Sequence, residues 1–393
     1  MLNLKTGMHV KLPAVDLLIA GPSCTSRSPL NNAAKENKGC VRSRKGATGE
    51  TFAWSFAYIE SRKPRLIILE NVRELAAGSH SSEVDKEQQD DDSDAKFIID
   101  FLIRRGYQVH TTMINAPDYG ARCRRSRLYF IAIRGFPAGQ AVQTIDANLK
   151  TMRGSVLPRS LSWTRFLLPH AELPDLVPCP GSGATKRVRQ HKEPQYEMEH
   201  IDMYHAAGME WPPPADELNK LFKGALGEMP ARSKELVYLC HKLFSGDDDL
   251  LPGIPQFMDA NTSIGRLRPD SSSPWFRDEM PTIVGSMKPV VRVRSPSGQD
   301  TIRCVSGVEC MQMQGWDSTW FKHPEEAFQH YKSELLVNMA GNAFSAFACG
   351  PAFAASIPLI GHCADDVDDK EDSGSDIAVG EAACHSEEDF PCE

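Results

Sequence analysis

The stretch of sequence that decides the fold is DLLIAGPSCTSRS, which runs from Asp16 to Ser28. Its apolar run predicts a fully buried β-strand over residues 15–20, and the following Gly-Pro-Ser predicts a turn. Cys24 comes directly after that turn. Open α/β sheets carry reactive groups at the carboxyl ends of their strands, so Cys24 is a candidate nucleophile. Taken alone, Cys24 also fits a buried structural thiol.

Further strands and helices alternate along the next hundred residues. A second buried strand is RLIIL, residues 65–69, and it leads directly into Glu70. The other predicted elements are helices over residues 51–61 and 95–105 and strands over residues 107–114 and 127–133. This alternation predicts an α/β fold with a mostly parallel, doubly wound sheet.

The remainder of the chain divides by pattern. Residues 135–300 mix proline, tryptophan and charged residues without a clear period, which predicts an irregular region. Regular structure is expected again over residues 301–361. We therefore expect a first domain at 1–134, the irregular region at 135–300, a return to the first domain at 301–361, and a disordered acidic tail at 362–393.

Charge is distributed unevenly along the chain. The formal net charge is −8, yet residues 364–393 alone carry −11 and residues 81–94 carry −6. The remaining residues therefore carry about +9, a balance that permits a polyanionic partner. We expect the acidic run at 81–94 to be a disordered insertion and residues 31–49 to be a mobile basic loop.

The cysteines and the termini bear on the compartment. The eleven cysteines form no Cys-x-x-Cys pair and no regular spacing with histidine, so neither a metal site nor a disulfide framework is expected. No signal peptide is expected at the N-terminus. The apolar residues 335–361 include glycines and prolines, which favours a buried core helix over a membrane span. These features favour an intracellular reducing compartment, such as the nucleus.

Two more candidate groups lie at predicted strand ends. Glu70 ends the second strand, and Arg125 and Arg127 stand two residues apart at the start of a later one. Alternating side chains in a strand place both arginines on one face. Cys24 and Glu70 are expected at one edge of the sheet, where a thiol and a carboxylate are able to form an active site. Individually, Glu70 also fits a helix cap or turn, and the arginines also fit a solvated surface.

Taken together, five motifs resemble those of the C5-cytosine methyltransferases. The family's Gly-Pro-Pro-Cys-Gln-x-Phe-Ser corresponds to residues 21–28, its Glu-Asn-Val to residues 70–72, and its Gln-x-Arg-x-Arg to residues 123–127. Its Arg-x-Leu-Thr-x-x-Glu helix, which ends near Gln-Gly, corresponds to residues 303–315, and its Gly-Asn-Ser/Ala to residues 341–343. All five occur in the family's order. Two departures are Ser23 for the second proline and Cys123 for the glutamine.

The resemblance implies a mechanism. The Cys24 thiolate would add to C6 of cytosine, and the activated C5 would take a methyl group from S-adenosylmethionine. Glu70 would hold the base at N3 and its amino group, while Arg127 and, less directly, Arg125 would bind its O2 side. The target base would be flipped out of the duplex. Residues 135–300 occupy the place of the family's target-recognition region.

Binding residues follow from the same resemblance. Pro22, Gly341 and Asn342 would contribute to the S-adenosylmethionine pocket. Arg42, Arg44 and Lys45 stand where the family's mobile loop closes on DNA and would contact phosphates. Only fourteen residues precede the first predicted strand, and they contain no Phe-x-Gly-x-Gly loop. The resemblance therefore implies that half of the cofactor site is missing, that an N-terminal half or a partner subunit supplies it, and that this chain alone is inactive.

Two alternatives remain open in the sequence. A relative that keeps the fold without the cofactor would be a non-catalytic nucleic-acid-binding or scaffold protein. One branch of the family methylates tRNA, and no residue pattern here separates DNA from RNA. The intact Cys24, Glu70, Arg125 and Arg127 favour an enzyme over a scaffold.

Overall fold

The structure is a computed structural model. It describes residues 12–28, 36–76, 93–137, 139–155, 166–167, 193–222, 229–244, 254–262, 264, 274–294, 300–316 and 333–361. In this part of the chain the strands form two four-stranded sheets. The first sheet has the spatial order β1-β2-β4-β3, and its strands are β1 Leu17–Ala20, β2 Leu66–Asn71, β3 Gln108–Asn115 and β4 Ser126–Ile133.

Strand directions in the first sheet explain where the candidate residues meet. β1 and β2 are parallel, whereas β4 is antiparallel to both of its neighbours, β2 and β3. Strands β1, β2 and β3 therefore run in one direction, as the sequence predicted, and β4 alone is reversed. This reversal brings the start of β4 to the carboxyl end of β2, where Glu70 pairs with Tyr129 and Asn71 pairs with Leu128.

Helices cover both faces of this sheet, which confirms the doubly wound prediction. Helices α1 Cys40–Ser43, α2 Gly46–Arg62 and α3 Asp94–Ile103 pack on one face, through a core that includes Phe52 and Ile98. On the other face lie α4 Gln140–Ser155 and α10 Ala346–Ile360. All six residues of β2 are buried between the two layers, which is why its sequence is continuously apolar up to Glu70.

The predicted basic loop at residues 31–49 is wrong over its second half. Residues 40–43 form α1, and α2 begins at residue 46. The two helices turn tightly on each other: a Cβ on Gly49 would lie 2.3 Å from the carbonyl oxygen of Cys40. Arg44 between them adopts a left-handed conformation with φ 56°. Composition did not predict these two helices, because the residues that pack at their junction are small ones such as Thr48 and Gly49.

The second sheet falls in the region predicted to be irregular. It has the order β6-β5-β7-β8, is antiparallel throughout, and packs with three helices around a separate apolar core that includes Tyr204 and Trp275. Its strands are β5 Gln256–Asp259, β6 Phe276–Arg277, β7 Pro289–Arg294 and β8 Asp300–Cys304. The helices are α5 Glu193–Ala206, α6 Ala215–Leu221 and α7 Ala231–Leu243. The prediction of an irregular region is therefore wrong for these residues, whose strands are too short to show a period.

Each sheet forms one unit together with the helices that pack on it. The boundaries of these two units differ from the predicted boundaries. Helix α4 lies against the first sheet, so the first unit extends to Ser155 rather than ending at residue 134. Strand β8 pairs with β7, so the second unit extends to Cys304. The chain then returns to the first unit through α8 Gly307–Met313, α9 Ser333–Asn342 and α10.

The apolar stretch Ser333–Ile360 is long and apolar enough to cross a membrane, and its most apolar window of 18 residues has a mean hydropathy of 1.6. The structure divides it into α9 and α10, which are separated at residues 343–345. One face of α10 packs on the first sheet through Ala348, Ala352, Ala355 and Leu359. This packing accounts for the apolar residues on that face of α10, while 33% of the most apolar window is buried.

The predicted disordered tail at 362–393 lies outside the described residues, as do residues 81–92 of the predicted acidic insertion. The last two residues of that acidic run are described, and both are buried. Ser93 caps α3 by accepting a hydrogen bond from Lys96 N at 3.1 Å. Asp94 is the first residue of that helix, so the disorder prediction is wrong at this end of the run.

Candidate active site

Cys24 lies in a tight turn after β1 and is partly buried. Its carbonyl oxygen accepts hydrogen bonds from Arg27 N at 3.0 Å and Ser28 N at 2.8 Å, which closes the turn. Two threonines of α2 hold the turn from the side. Thr51 Oγ1 accepts from Ser23 N, and Thr48 Oγ1 accepts from Ser26 N. The segment that carries the thiol is therefore fixed by its backbone.

The Asn71 side chain fastens this segment over the end of β2. Its Nδ2 donates to the carbonyl oxygen of Pro22 at 2.7 Å. Next to Pro22, a Cβ on Gly21 would lie 2.9 Å from the Phe344 ring and 3.5 Å from Glu70 Oε2. The absence of a side chain at Gly21 thus allows the loop, the Phe344 ring and the Glu70 carboxyl group to meet. The structure brings the Cys24 loop and Glu70 to one edge of the sheet, as predicted.

The Glu70 carboxyl group is buried beside an arginine. Its Oε1 lies 3.2 Å from Nε of Arg127, which stands at the start of the reversed strand β4. Burial raises the pKa of Glu70, and the charges of Arg127 and Arg125 offset part of that rise. A carboxyl group that keeps its proton to higher pH is able to donate one hydrogen bond and accept another. A hydrogen-bond donor and an acceptor side by side on one carboxyl group match a ring nitrogen next to an amino group.

Arg125 is buried, and its guanidinium group donates to backbone carbonyls of residues 341 and 343. Its Nη1 donates to the carbonyl oxygen of Gly341 at 3.2 Å, and its Nη2 donates to that of Ala343 at 2.5 Å. Arg125 therefore links the start of β4 to the break between α9 and α10. Of the two predicted arginines, Arg127 contacts Glu70, and Arg125 acts on the site through the backbone that precedes Phe344.

The three predicted cofactor residues lie around this edge, but each is already engaged. A Cβ on Gly341 would lie 2.4 Å from Gly285 N, so Gly341 serves a close backbone contact. The exposed amide of Asn342 donates to Asn338 Oδ1 at 2.9 Å, and the carbonyl of Pro22 is taken by Asn71. These three positions therefore do not by themselves enclose a nucleoside cofactor.

The three predicted phosphate-binding residues are exposed and lie beside the Cys24 turn. Arg42 is in α1, and Arg44 and Lys45 connect α1 to α2. The following residue, Gly46, approaches the turn so closely that a Cβ on it would lie 3.0 Å from Ser26 Oγ. The backbone that carries Arg44 and Lys45 is therefore next to the Cys24 turn, while the Arg42 guanidinium lies 5.8 Å from the centre of the Phe97 ring of α3.

Two groups close to Glu70 were missed by the sequence analysis. Tyr129 lies opposite Glu70 on β4, and its buried hydroxyl has no hydrogen-bond partner in the described part of the chain. Cys349 of α10 lies close enough that burial and the charge of Glu70 raise its pKa to about 11. Tyr129 was open to prediction, because it follows Arg127 by two residues in a strand and shares its face.

The arginine loop is also attached to the second unit. Arg122 Nη1 lies 3.0 Å from Asp278 Oδ1, and Arg124 Nε lies 2.6 Å from Glu279 Oε2. Two backbone hydrogen bonds join the same segments, from Arg124 N to Met280 O and from Met280 N to Arg122 O. The loop that precedes Arg125 and Arg127 therefore takes its position partly from the second unit.

Cys123, which replaces the family's glutamine, supports this loop in another way. It is fully buried, and its Sγ lies 3.3 Å from the carbonyl oxygen of Met313, to which it donates. Burial raises the pKa of Cys123 to about 12. Cys123 is thus a structural thiol that remains protonated.

Arg303 and Glu309, which carry the fourth motif, form a structural pair in which the Glu309 side chain is fully buried and that of Arg303 is 15% exposed. Arg303 donates from both terminal nitrogens to the two carboxylate oxygens of Glu309, at 2.9 and 2.7 Å. Glu309 also accepts from Ser306 N at 2.7 Å and completes a capping box at the start of α8. This motif therefore stabilises the return to the first unit.

Solved structures align with most of the chain but superpose loosely. A Schizosaccharomyces pombe Dnmt2 methyltransferase gives a TM-score of 0.36 at 10% identity, covering 88% of this chain and 78% of its own. The Entamoeba histolytica methyltransferase EhMeth gives 0.41 at 11% identity, covering 88% and 76%. A putative DNA modification methyltransferase encoded in an E. coli prophage gives 0.41 at 14% identity, covering 91% and 81%. These superpositions are too loose to transfer structural detail.

Sequence comparisons are more specific. Type II methyltransferase M.NgoPII of Neisseria gonorrhoeae is 28% identical over 139 residues, which are 34% of this chain and 35% of that protein. M.Bsp6I of Bacillus sp. (strain RFL6) is 29% identical over 124 residues, 31% and 34% of the two chains. The chain thus aligns with about a third of the length of these relatives. The family model described as C-5 cytosine-specific DNA methylase matches residues 3–346. The chain therefore belongs to the C-5 cytosine-specific DNA methylase family.

Proposed function

We propose that this chain carries the base-modifying site of a DNA cytosine-5 methyltransferase, with Cys24 as the nucleophile. The observation that carries the proposal is the meeting of the Cys24 loop with Glu70, Arg127 and Phe344 at one edge of the sheet. Family membership supports it, since a match over residues 3–346 includes all of these residues.

The proposed chemistry uses this chain's own side chains. The Cys24 thiolate forms a bond to C6 of cytosine, and the electron pair of the C5–C6 double bond moves to form a C4–C5 double bond. The displaced N3–C4 pair collects on N3, which takes the proton from Glu70. The Glu70 carboxylate that results lies beside Arg127, whose positive charge stabilises it. The adduct is an enamine with a nucleophilic C5.

Substrate binding is assigned to the exposed cations. The target base leaves the duplex to reach the sheet edge, while Arg42, Arg44 and Lys45 bind backbone phosphates. Arg127 binds the O2 side of the base, and Arg125 holds the Phe344 segment behind it. We place the enzyme in a reducing compartment such as the nucleus, in keeping with the seven free cysteines among the described residues.

The family implies S-adenosylmethionine as the source of the methyl group. The described residues supply at most one wall of its pocket, through the segment of Gly341 and Asn342. We propose that the other wall comes from a segment that the 393 residues do not include, either an N-terminal half or a partner subunit. Calorimetry on the 393-residue chain tests this: we expect no measurable binding of S-adenosylmethionine. Micromolar binding by this chain alone contradicts it.

The nucleophile is tested without the cofactor. In 5-azacytosine a nitrogen replaces C5 and makes C6 more electrophilic, so a thiolate adds to it without methyl transfer. We expect DNA that contains 5-azacytosine to form a covalent adduct with the chain, detected by denaturing electrophoresis and mapped to Cys24 by mass spectrometry. Cys24→Ser should abolish the adduct. The matched control Cys123→Ser should retain it, because Cys123 is buried and protonated.

The same experiment separates the two alternatives. An adduct that forms faster on single-stranded or structured RNA than on duplex DNA favours the tRNA-modifying branch. Tight DNA binding without any adduct favours a non-catalytic nucleic-acid-binding protein. An adduct that survives Cys24→Ser shows that the nucleophile is misassigned.

A further inference from the structure

A buried ion pair stands behind the Cys24 turn. Arg27 occupies the position at which the family motif has phenylalanine, and it is only 2% exposed. Its Nε lies 3.7 Å from Asp94 Oδ2, and its Nη2 donates to the carbonyl oxygen of Glu74. Since the backbone amide of Arg27 also donates to the Cys24 carbonyl at 3.0 Å, the guanidinium is fixed to the turn that carries the thiol.

The partner carboxylate joins that turn to two helices. Asp94 is the first residue of α3 and is 2% exposed. Its Oδ1 accepts from Val41 N of α1 at 3.0 Å, and its Oδ2 lies 3.7 Å from Cys40 Sγ. Burial and the charge of Asp94 raise the pKa of Cys40 to about 11, so Cys40 is present as a thiol that donates to Asp94. One carboxylate therefore contacts both the Cys24 turn and the start of α1.

The contacts of the turn with Asn71 and the two threonines of α2 restrain its backbone. Asn71 binds Pro22 O, and Thr51 and Thr48 bind Ser23 N and Ser26 N. Arg27 provides an anchor on the far side of Cys24, and it is a side chain that reaches into the core. Without it, the C-terminal half of the turn would lose its attachment to α1 and α3.

We propose that Arg27 and Asp94 are positioning residues, which hold the Cys24 turn in the orientation that lets the thiol attack a base. The proposal rests on the proposed function for the identity of the attacked group, but the restraint on Cys24 is measurable without any nucleic acid. Its distinguishing consequence is a pair of opposite effects. A turn released from its anchor exposes the thiol to small reagents while it loses the geometry needed for attack on a bound base.

The variants are chosen so that the protein remains folded. Removal of one charge leaves the other buried without its countercharge, which is strongly destabilising. Arg27→Met and Asp94→Asn together remove both charges and nearly preserve volume, so the double variant is the informative one. The matched control is Arg303→Met with Glu309→Gln, which removes a second arginine–carboxylate pair, between β8 and α8.

Two rates are measured on each full-length variant. The first is alkylation of Cys24 by iodoacetamide, followed by peptide mass spectrometry, with buried Cys240 as the internal reference for unfolding. The second is adduct formation with saturating 5-azacytosine DNA. In the Arg27/Asp94 double variant we expect faster alkylation of Cys24 with unchanged protection of Cys240, and adduct formation slower by about tenfold or more. DNA affinity should not change.

The control should lower the melting temperature and leave both Cys24 rates as they are. Both rates within about twofold of the parent in the folded Arg27/Asp94 double variant would overturn the proposal, because the pair would then only stabilise the fold. If the parent forms no adduct, the proposed function fails, whereas the alkylation rates still decide whether the pair restrains Cys24. Equal acceleration at Cys24 and Cys240 shows general loosening and also overturns the proposal.

Discussion

Arg127 Nε lies 3.2 Å from Glu70 Oε1 because β4 runs antiparallel to β2. The start of one strand thereby meets the end of the other. A parallel β4 would have placed the same arginine at the opposite edge of the sheet. The reversed strand is therefore what joins the arginine motif to the carboxylate motif, although 57 positions separate the two residues in the sequence.

The first prediction concerns Glu70 and pH. The pKa of Glu70 is raised in the folded state, chiefly by burial. The stability that its protonated form contributes is complete below the unfolded pKa and is lost as pH rises through the folded pKa. Glu70→Gln has no such titration, so its free energy of unfolding relative to the parent should increase as pH rises. A tenfold difference between the acid constants of the folded and unfolded states corresponds to about 1.4 kcal/mol.

Urea denaturation at a series of pH values from about 4 to about 9 measures this difference. The control is Glu74→Gln, which removes a partly exposed carboxylate in the turn that follows β2. A stability difference between parent and Glu70→Gln that stays constant, or that changes in the opposite direction, shows that burial does not control this carboxyl group.

The second prediction uses the two close approaches at glycine. A Cβ on Gly21 meets the Phe344 ring at 2.9 Å, whereas a Cβ on Gly341 meets the backbone nitrogen of Gly285 at 2.4 Å. Gly21→Ala should destabilise the protein by about 1–3 kcal/mol, and most of that loss should disappear when Phe344 is already alanine. Gly341→Ala should be at least as destabilising. Phe344→Ala should not rescue it, because the atom in contact is a backbone nitrogen, which a side-chain substitution does not remove.

Thermal denaturation of the parent, the two single variants and the Gly21→Ala/Phe344→Ala double variant measures how far the two effects depend on each other. The Gly341→Ala variants, with and without Phe344→Ala, are the control. Additive effects of Gly21→Ala and Phe344→Ala would mean that the loop and the ring are not in contact.

The third prediction concerns the attachment of the second unit to the arginine loop. Arg122 is 7% exposed in its side chain and pairs with Asp278, whose φ of 55° is one that asparagine also tolerates. Asp278→Asn therefore removes the charge without straining the backbone and leaves a buried arginine without its carboxylate. We expect a loss of about 3 kcal/mol in the free energy of unfolding.

The neighbouring pair supplies the control. Arg124 is 58% exposed, so Glu279→Gln should cost less than about 1 kcal/mol. Equal losses for the two variants in urea denaturation would show that burial of Arg122 does not matter to this contact.

Particular residues show how far the sequence predicts this structure. The run from Leu17 to Ala20 and the run before Glu70 predicted two strands, and both are present. The second is fully buried, as its continuous apolar sequence indicates. The first lies at the edge of the described sheet and none of its four residues is buried, so its predicted full burial is wrong. The direction of β4 was not predictable, since an apolar run carries no information on the strand beside it. The partnership of Arg27 with Asp94 was equally hidden: two charges far apart in sequence are ordinary surface residues until the fold buries both.

The last prediction concerns the acidic tail. Residues 364–393 carry a formal charge of −11 and are joined to a remainder that is positive outside residues 81–94. A covalently attached polyanion competes with DNA phosphates for the same cations, and this competition is strongest at low ionic strength, where screening is weak. Deletion of Ala364–Glu393 should therefore tighten nonspecific DNA binding at low salt, and the two proteins should converge as salt is added.

Fluorescence anisotropy with a labelled duplex of random sequence, over a series of salt concentrations, measures both affinities. A matched variant keeps the length of the tail but replaces its twelve aspartates and glutamates with asparagine and glutamine. If charge is responsible, this variant binds as tightly as the deletion; if the tail acts by bulk alone, it binds as weakly as the parent. Equal affinity of all three proteins at low salt would show that the tail does not compete for the DNA-binding surface.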